Sequence, residues 1–192
     1  MAGPFHWLSR RCAALFQARE GTAAVEFALI MPVMMVMYFG AAEAASLLTV
    51  DRKVQSIAGA MGDLVARSNK SISEEEITDY FQAATTILAP YDLTDLVQTV
   101  TAVSIDDDGE TEILWSVRYA GDDLFDEVDE HEVGDSYDLP DETIAIATGQ
   151  TVIVAEVDYP YLPLLGFVFK NTVNLHRSGL FMPRFGGRID YL

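Results

Sequence analysis

The chain has 192 residues, half of them apolar, and a formal charge of −18. Residues 1–21 carry three arginines and one glutamate, so the charge of the remaining chain is about −20. Such an acidic surface repels phosphate backbones, which argues against nucleic-acid binding. The single cysteine, Cys12, excludes an intramolecular disulfide.

The first predicted element is a membrane span. Thr22–Ala42 holds one charge, Glu26, and as a helix would be about 31 Å long, which matches a hydrocarbon core of ~30 Å. Arginines precede the span and acids follow it, which predicts a cytoplasmic N-terminus and an external C-terminal domain. The orienting residues are Arg10, Arg11 and Arg19.

The helix is expected to continue beyond the membrane. Apolar residues recur at alternating spacings of three and four, which is the helical period: Leu47, Val50, Val54, Ile57, Met61 and Leu64. A helix from Thr22 to about Arg67 would be roughly 69 Å long. Packing of this stripe within the domain is favoured over assembly with another helix. Gly59 and Gly62 weaken the helix and suggest a bend.

A second helix is predicted within residues 71–88. Ser73 and Glu76 have the spacing of a capping box, and Pro90 ends the element. One apolar face is expected: Ile77, Phe81, Ala84 and Leu88.

Strands follow this helix. Alternating, β-branched segments at 96–105, 111–120 and 151–159, and a fourth at about 170–177, predict an antiparallel sheet with helices on one face. The fold class is therefore α+β, with a long N-terminal membrane-spanning helix continuing into a small extracytoplasmic domain. Tyr159, Pro160 and Tyr161 are candidates for an exposed docking surface, although a rigid turn packed on the sheet is favoured.

No catalytic or metal site is predicted. Asp106, Asp107 and Asp108 lack the spacing of an EF-hand, so a turn tip is favoured over a calcium site. The acidic run at 122–142 around His131 is expected to be a solvated loop, with a cation or partner site as the alternative. His176 lies two residues before Ser178, but this proximity is poor evidence for a dyad. We therefore predict no enzyme activity, no cofactor and no small-molecule substrate.

The segment REGTAAVEFALIMP (19–32) resembles the TadE-like family, minor pilins or pseudopilins of the tight-adherence (Flp) pilus machinery. Segments 151–167 and 175–184 resemble the family's late strand and closing Met-Pro-Arg. The resemblance implies prepilin processing between Gly21 and Thr22, with Glu26 and Phe27 as the fifth and sixth mature residues. A carboxylate at that place can pair with the α-amine of an adjacent subunit, whereas the alternative is a residue that merely suits the start of a helix. Thr22 is a candidate N-cap.

The predicted organisation is a leader (1–21), a transmembrane helix (22–45) and an extracytoplasmic pilin-like domain (46–192) with an acidic loop at about 121–142. The resemblance implies a structural assembly factor in the bacterial inner membrane. Its partners would be a prepilin peptidase, other TadE-like pseudopilins and the pilus machinery. The alternative function is a secreted acidic periplasmic binding protein whose signal peptide is cleaved near Ala45. A membrane-anchored enzyme comes third, for want of a catalytic constellation.

Overall fold

The computed structural model describes residues 21–121, 123–126, 128–163, 166 and 170–192. The described helices and strands are, in chain order, α1 (Thr22–Ala66), β1 (Ser71–Ile72), α2 (Glu74–Thr85), β2 (Val97–Ile105), β3 (Thr111–Ala120), β4 (Asp123–Phe125), α3 (Asp141–Ala147), β5 (Thr151–Tyr161), β6 (Val173–Phe181) and β7 (Asp190–Tyr191).

The long helix is confirmed. α1 has 45 residues and includes Pro32, as a membrane helix tolerates. At 1.5 Å per residue it is about 67 Å long. The stripe packs within the domain, as favoured: its members from Val50 to Met61 are fully buried, and Leu47 packs beside them. The predicted division of the chain between residues 45 and 46 stays a prediction, and α1 runs across that point.

The capping box of α2 is also confirmed. The Ser73 hydroxyl accepts a hydrogen bond from the backbone N–H of Glu76, and the Glu76 carboxylate accepts one from the backbone N–H of Ser73. These two bonds satisfy N–H groups that a helix start leaves free. The helix ends at Thr85, and a 3-10 turn at Thr86–Leu88 leads towards Pro90. All four residues of the predicted apolar face are buried.

Five strands form an antiparallel sheet in the order β4-β3-β2-β5-β6. The α+β class is thereby confirmed, as are the first two predicted strands and the turn between them. Two predicted boundaries are wrong: β5 continues to Tyr161, and β6 ends at Phe181 rather than near residue 177. Alternating polar and small residues in the second half of β6 gave too weak a pattern to set its end.

Two apolar clusters cover the faces of this sheet. On its inner face α1 and α2 pack against alternate residues of the central strands, including Val100, Ala155 and Val157. On its outer face a smaller cluster contains residues of β2 and β5 together with Leu139 and Ala147. Most of the core therefore lies between α1 and the sheet.

At Gly62 the backbone of α1 lies close against the side chain of Phe181 on β6. A Cβ atom there would lie 2.3 Å from the ring of Phe181, so only glycine leaves room for that ring. At Gly59 an added Cβ meets no atom within 4 Å. Gly62 therefore serves helix–sheet packing within an uninterrupted helix, and the predicted bend stays a prediction.

The C-terminal tail, for which the sequence indicated no place, closes the domain. β7 pairs with β1 in a short parallel sheet, and Ile189 is buried in the main core. The indole N–H of Trp115 donates a hydrogen bond to the Ile189 carbonyl at 2.7 Å. Just before the tail, the backbone N–H of Arg184 donates to the Ala66 carbonyl, and its guanidinium pairs with Asp63. The Met-Pro-Arg segment thus fastens the chain to the end of α1.

Candidate assembly site

The predicted processing residues lie at the start of α1. Gly21 occupies the N-cap position without a side-chain capping bond, and Thr22 is the first helical residue. The expectation that Thr22 caps the helix is therefore wrong by one position. Gly21 is exposed, and an added Cβ would meet no atom within 4 Å. Nothing in the described fold depends on a glycine at this position.

Glu26 lies beyond the first turn of α1. The first turn contains no acidic residue, and the favourable effect of the helix dipole on a carboxylate falls off within that turn. The reading of Glu26 as a mere helix-start residue is therefore weakened. The residue is exposed, and within the described residues no hydrogen bond or ion pair reaches its carboxylate.

The helix around Glu26 exposes an apolar surface. Every residue from Gly21 to Tyr38 is exposed, including Phe27 and the methionines that follow. Among the described residues, α1 is the one helix long and apolar enough to cross a membrane. Since the described part of the domain does not cover this surface, it is a candidate for contact with lipid or with other helices. The orienting residues Arg10, Arg11 and Arg19 lie outside the described residues.

The proposed docking surface at Tyr159, Pro160 and Tyr161 is not exposed. These residues continue β5 instead of forming a turn, and both tyrosines are buried in the main core. Tyr161 forms an edge-to-face ring pair with Tyr91, at 6.3 Å between centroids. Tyr159 and Tyr161 alternate along β5 so that both side chains face the main core, and they are therefore not available as docking residues. Only Pro160, which is half-buried on the opposite face, retains some exposure.

Tyr161 also marks where the domain meets the end of the predicted span. Burial raises the pKa of its phenol, and the nearby Tyr91 and Glu43 act in the same direction, while Ser46 opposes them. Glu43 is only 3% exposed, although it follows the span directly. The end of β5 therefore lies near the part of α1 around Glu43 and Ser46, where the predicted span ends.

Part of the acidic segment is packed on the outer face of the sheet. His131 Nε2 lies 3.3 Å from a Glu156 oxygen, its ring stacks on Tyr137, and Val128 and Leu139 are buried. The description of this segment as a solvated loop is wrong for these residues, because the sequence pattern did not reveal their contacts with β5.

The remaining polar candidates form no recognisable catalytic arrangement in the described part of the chain. The Asp106 carboxylate accepts the backbone N–H groups of Asp108 and Glu110, which is the geometry of a turn tip. His176 Nδ1 lies 2.8 Å from Asp158, and no hydrogen bond found among the described residues joins His176 to Ser178. The same residues contain no group of three or more His, Cys, Asp or Glu placed to hold a metal ion.

In this α+β protein, one helix supplies both a candidate membrane anchor and part of the domain core. This arrangement places it in the class of proteins in which the N-terminal helix continues into the domain. The family described as TadE-like protein matches residues 21–60 of this chain. Over these residues the chain is similar to TadE-like proteins, which agrees with the resemblance of its N-terminal sequence. The match ends within α1, so the family resemblance of segments 151–167 and 175–184 stays a prediction. No curated protein and no solved structure gives a significant match.

The family match supports a role related to the tight-adherence pilus, that of a minor pilin in general terms. Such a family is structural rather than enzymatic. The family match suggests association with the pilus machinery. The apolar N-terminal half of α1 is a candidate membrane-spanning helix.

Proposed function

We propose that the protein is a pseudopilin that acts as a structural assembly factor in tight-adherence pilus biogenesis. The observation that carries this proposal is the exposed apolar half of α1, which begins directly after Gly21 and contains Glu26 as its one charge before Glu43. The family match falls on the same residues. The protein would sit in the inner membrane with its N-terminus in the cytoplasm and its domain in the periplasm.

Processing is the first step of this function. A prepilin peptidase would hydrolyse the Gly21–Thr22 peptide bond, releasing residues 1–21 and leaving an α-amine on Thr22. The exposed position of Gly21 gives the peptidase access to the bond. Because glycine has no side chain, the backbone can approach the enzyme closely.

Subunit pairing is the second step. An ionised carboxylate in a bilayer costs at least ~2.5–3.5 kcal/mol, so Glu26 needs a partner when its helix moves into the membrane. The α-amine of a neighbouring processed subunit is a suitable partner, because pairing offsets the burial of both charges. The neighbour would be another TadE-like pseudopilin or a second copy of this chain.

N-terminal sequencing of the protein from cells with and without the prepilin peptidase tests the processing step. We expect a start at Thr22 with the peptidase and the full-length precursor without it. The same start in both strains would refute processing.

Substitution at Gly21 tests the same step without loss of the peptidase. We expect Gly21→Leu to accumulate as precursor, since a bulky side chain then stands beside the scissile bond. Gly59→Leu is the matched control: it changes a glycine of the same helix whose added Cβ also meets open space. The control should be processed normally. Equal processing of both variants would contradict the assignment of the cleavage site.

The alternative, a secreted binding protein cleaved near Ala45, predicts a mature start at Ser46 in soluble periplasm. In the structure the Ala45–Ser46 bond lies inside α1, and Glu43 just before it is buried against the domain. This arrangement favours an anchor that stays attached. The sequencing experiment above separates the two readings directly.

A further inference from the structure

Strand β5 runs beside α1 towards the proposed membrane, and the antiparallel strand β6 runs back away from it. Arg177 on β6 pairs with Asp51 at 2.6 Å, whereas Phe181 lies against Gly62, eleven residues further along the helix. The end of β5 lies even nearer the start of α1. There Tyr161 is close enough to Glu43 and Ser46 for both side chains to affect the pKa of its phenol. The connection from β5 to β6 therefore starts at the level where the predicted span ends.

Helix α1 is partly buried just below that level. Phe39, Gly40 and Ala42 are half-buried, whereas all residues from Gly21 to Tyr38 are exposed. Phe39 lies three residues before the end of the uncharged stretch that closes at Ala42, which corresponds to about 5 Å along the helix. One side of α1 is therefore covered at about the depth where headgroups would give way to acyl chains, while Ala41 stays exposed.

The connection that begins at this depth has an apolar sequence. Residues 162–169 read LPLLGFVF and carry no charge, and Lys170 follows them. Leu162, the first of them, is 66% exposed, although it lies next to the buried Tyr161. Residues 164, 165 and 167–169 lie outside the described residues, and Leu162 is the exposed apolar residue of this connection that the structure describes.

We propose that Leu162 contacts the periplasmic leaflet of the membrane that α1 crosses, giving the domain a second lipid contact beside its anchor. The inference rests on the proposed membrane span. An exposed leucine at the depth of the headgroup–acyl boundary transfers apolar surface from water to lipid. A tyrosine ring at the same end and a lysine after the apolar run are the residue types that anchor proteins at membrane interfaces.

The contact is hydrophobic rather than electrostatic. The neighbouring loop carries Asp92 and Asp95, and the whole chain is strongly acidic. An anionic membrane surface would repel such charges, while Lys170 offers one opposing charge. A zwitterionic bilayer is therefore sufficient for the proposed contact. A rigid second contact would fix the angle between the domain and the membrane, which α1 alone leaves free.

Site-specific labelling of the full chain tests the proposal. In a Cys12→Ser background, Leu162→Cys is labelled with an environment-sensitive fluorophore and reconstituted in phosphatidylcholine liposomes. Two further positions serve as controls: Val33→Cys in the span, 60% exposed, and Ile146→Cys on α3 at the far end of the sheet, 72% exposed. All three side chains are apolar and exposed, so labelling does not disturb the core.

We expect nitroxide lipids to quench the label at 162 about twofold or more above the label at 146, because only the former lies at the acyl-chain boundary. The label at 33 should be quenched by deep nitroxides. If the label at 33 is quenched but the label at 162 is quenched no more than the label at 146, the inference is overturned and the span stays intact. No quenching at 33 would refute the span and the inference with it. Quenching at 162 that disappears when the protein is diluted in lipid would show contact with another copy, and would also overturn the inference.

Discussion

At the scale of the residue, the environment of a side chain decides its role. Glu26 and Glu43 are two glutamates of one helix, yet Glu43 is buried beside Tyr161 and Glu26 is exposed among apolar neighbours. A carboxylate exposed in this way becomes costly only when lipid replaces water around it. The contrast singles out Glu26 as the carboxylate that the proposed assembly would have to pair.

Glu26→Ala should separate processing from assembly. We expect normal cleavage at Gly21 but loss of pili, because the variant keeps the helix and removes the proposed pairing carboxylate. Glu26→Gln, which keeps the size of the side chain, should fail in the same way. Glu75→Ala, an exposed acidic residue of α2, is the control and should assemble normally. Piliation measured by electron microscopy at wild-type levels in both Glu26 variants would exclude the proposed pairing.

At the scale of the element, α1 has two functions in one helix. Its first half carries the exposed apolar surface, and its second half supplies the main core of the domain. The change occurs between Tyr38 and Val50, without a break in the helix. Any force on the proposed anchor would thus be transmitted to the sheet through the packing of α1 on β5 and β6.

Gly62→Ala should weaken this packing. The new methyl group would clash with the ring of Phe181 and lies 3.1 Å from the Cβ of Ala155. Overpacking costs about 1–3 kcal/mol. Part of that cost is offset by ~1 kcal/mol from the better helix propensity of alanine. We expect a lower midpoint of urea unfolding in detergent micelles.

Gly59→Ala is the control for this change, because it adds the same methyl to the same helix in open space. It should be stabilised by up to ~1 kcal/mol. Adding Phe181→Leu to Gly62→Ala should recover part of the loss, since the smaller side chain relieves the clash. Equal stabilisation by both glycine substitutions would show that the Gly62 contact is not tight.

At the scale of the whole molecule, contacts distant in sequence close the domain. The last residues pair with β1 and receive the indole bond of Trp115. Tyr191 donates a hydrogen bond to Asp126 at 2.8 Å, and Arg118 pairs with Glu130 at 3.0 Å. The tail and the acidic segment are thus both tied to the sheet that α1 supports.

Ile189→Ala should destabilise the domain by about 2–5 kcal/mol, the usual cost of removing a buried aliphatic side chain. Ile189 is 1% exposed, whereas Leu192, three residues later, is 75% exposed. Leu192→Ala should therefore stay within about 0.5 kcal/mol of the wild type. Chemical denaturation followed by the fluorescence of Trp115 measures both. A similar effect of the two substitutions would show that the tail is not anchored through Ile189.

Local sequence patterns predicted most of the helices and strands but few of the tertiary contacts between them. The stripe of α1, the Ser73–Glu76 box and the alternation of β2 and β3 each depend on residues close in sequence, so periodicity and capping were enough to find them. The burial of Tyr159 and Tyr161 was missed, because a Tyr-Pro repeat is equally compatible with a turn and with a strand end. The attachment of His131 to Glu156 and of Ile189 to the core joins residues with no local signal.

The sequence by itself determined the long helix, its exposed apolar start and its continuation into the domain, because hydrophobicity and helical period are properties of contiguous residues. The Gly21–Glu26 site, which rests on a lone charge in that stretch, stays a prediction. Only the tertiary structure decided that Gly62 receives Phe181, that the tail closes the core and that β5 ends beside Glu43. Those outcomes depend on which surfaces meet when α1 packs on the sheet, and close packing selects partners by shape across the whole chain.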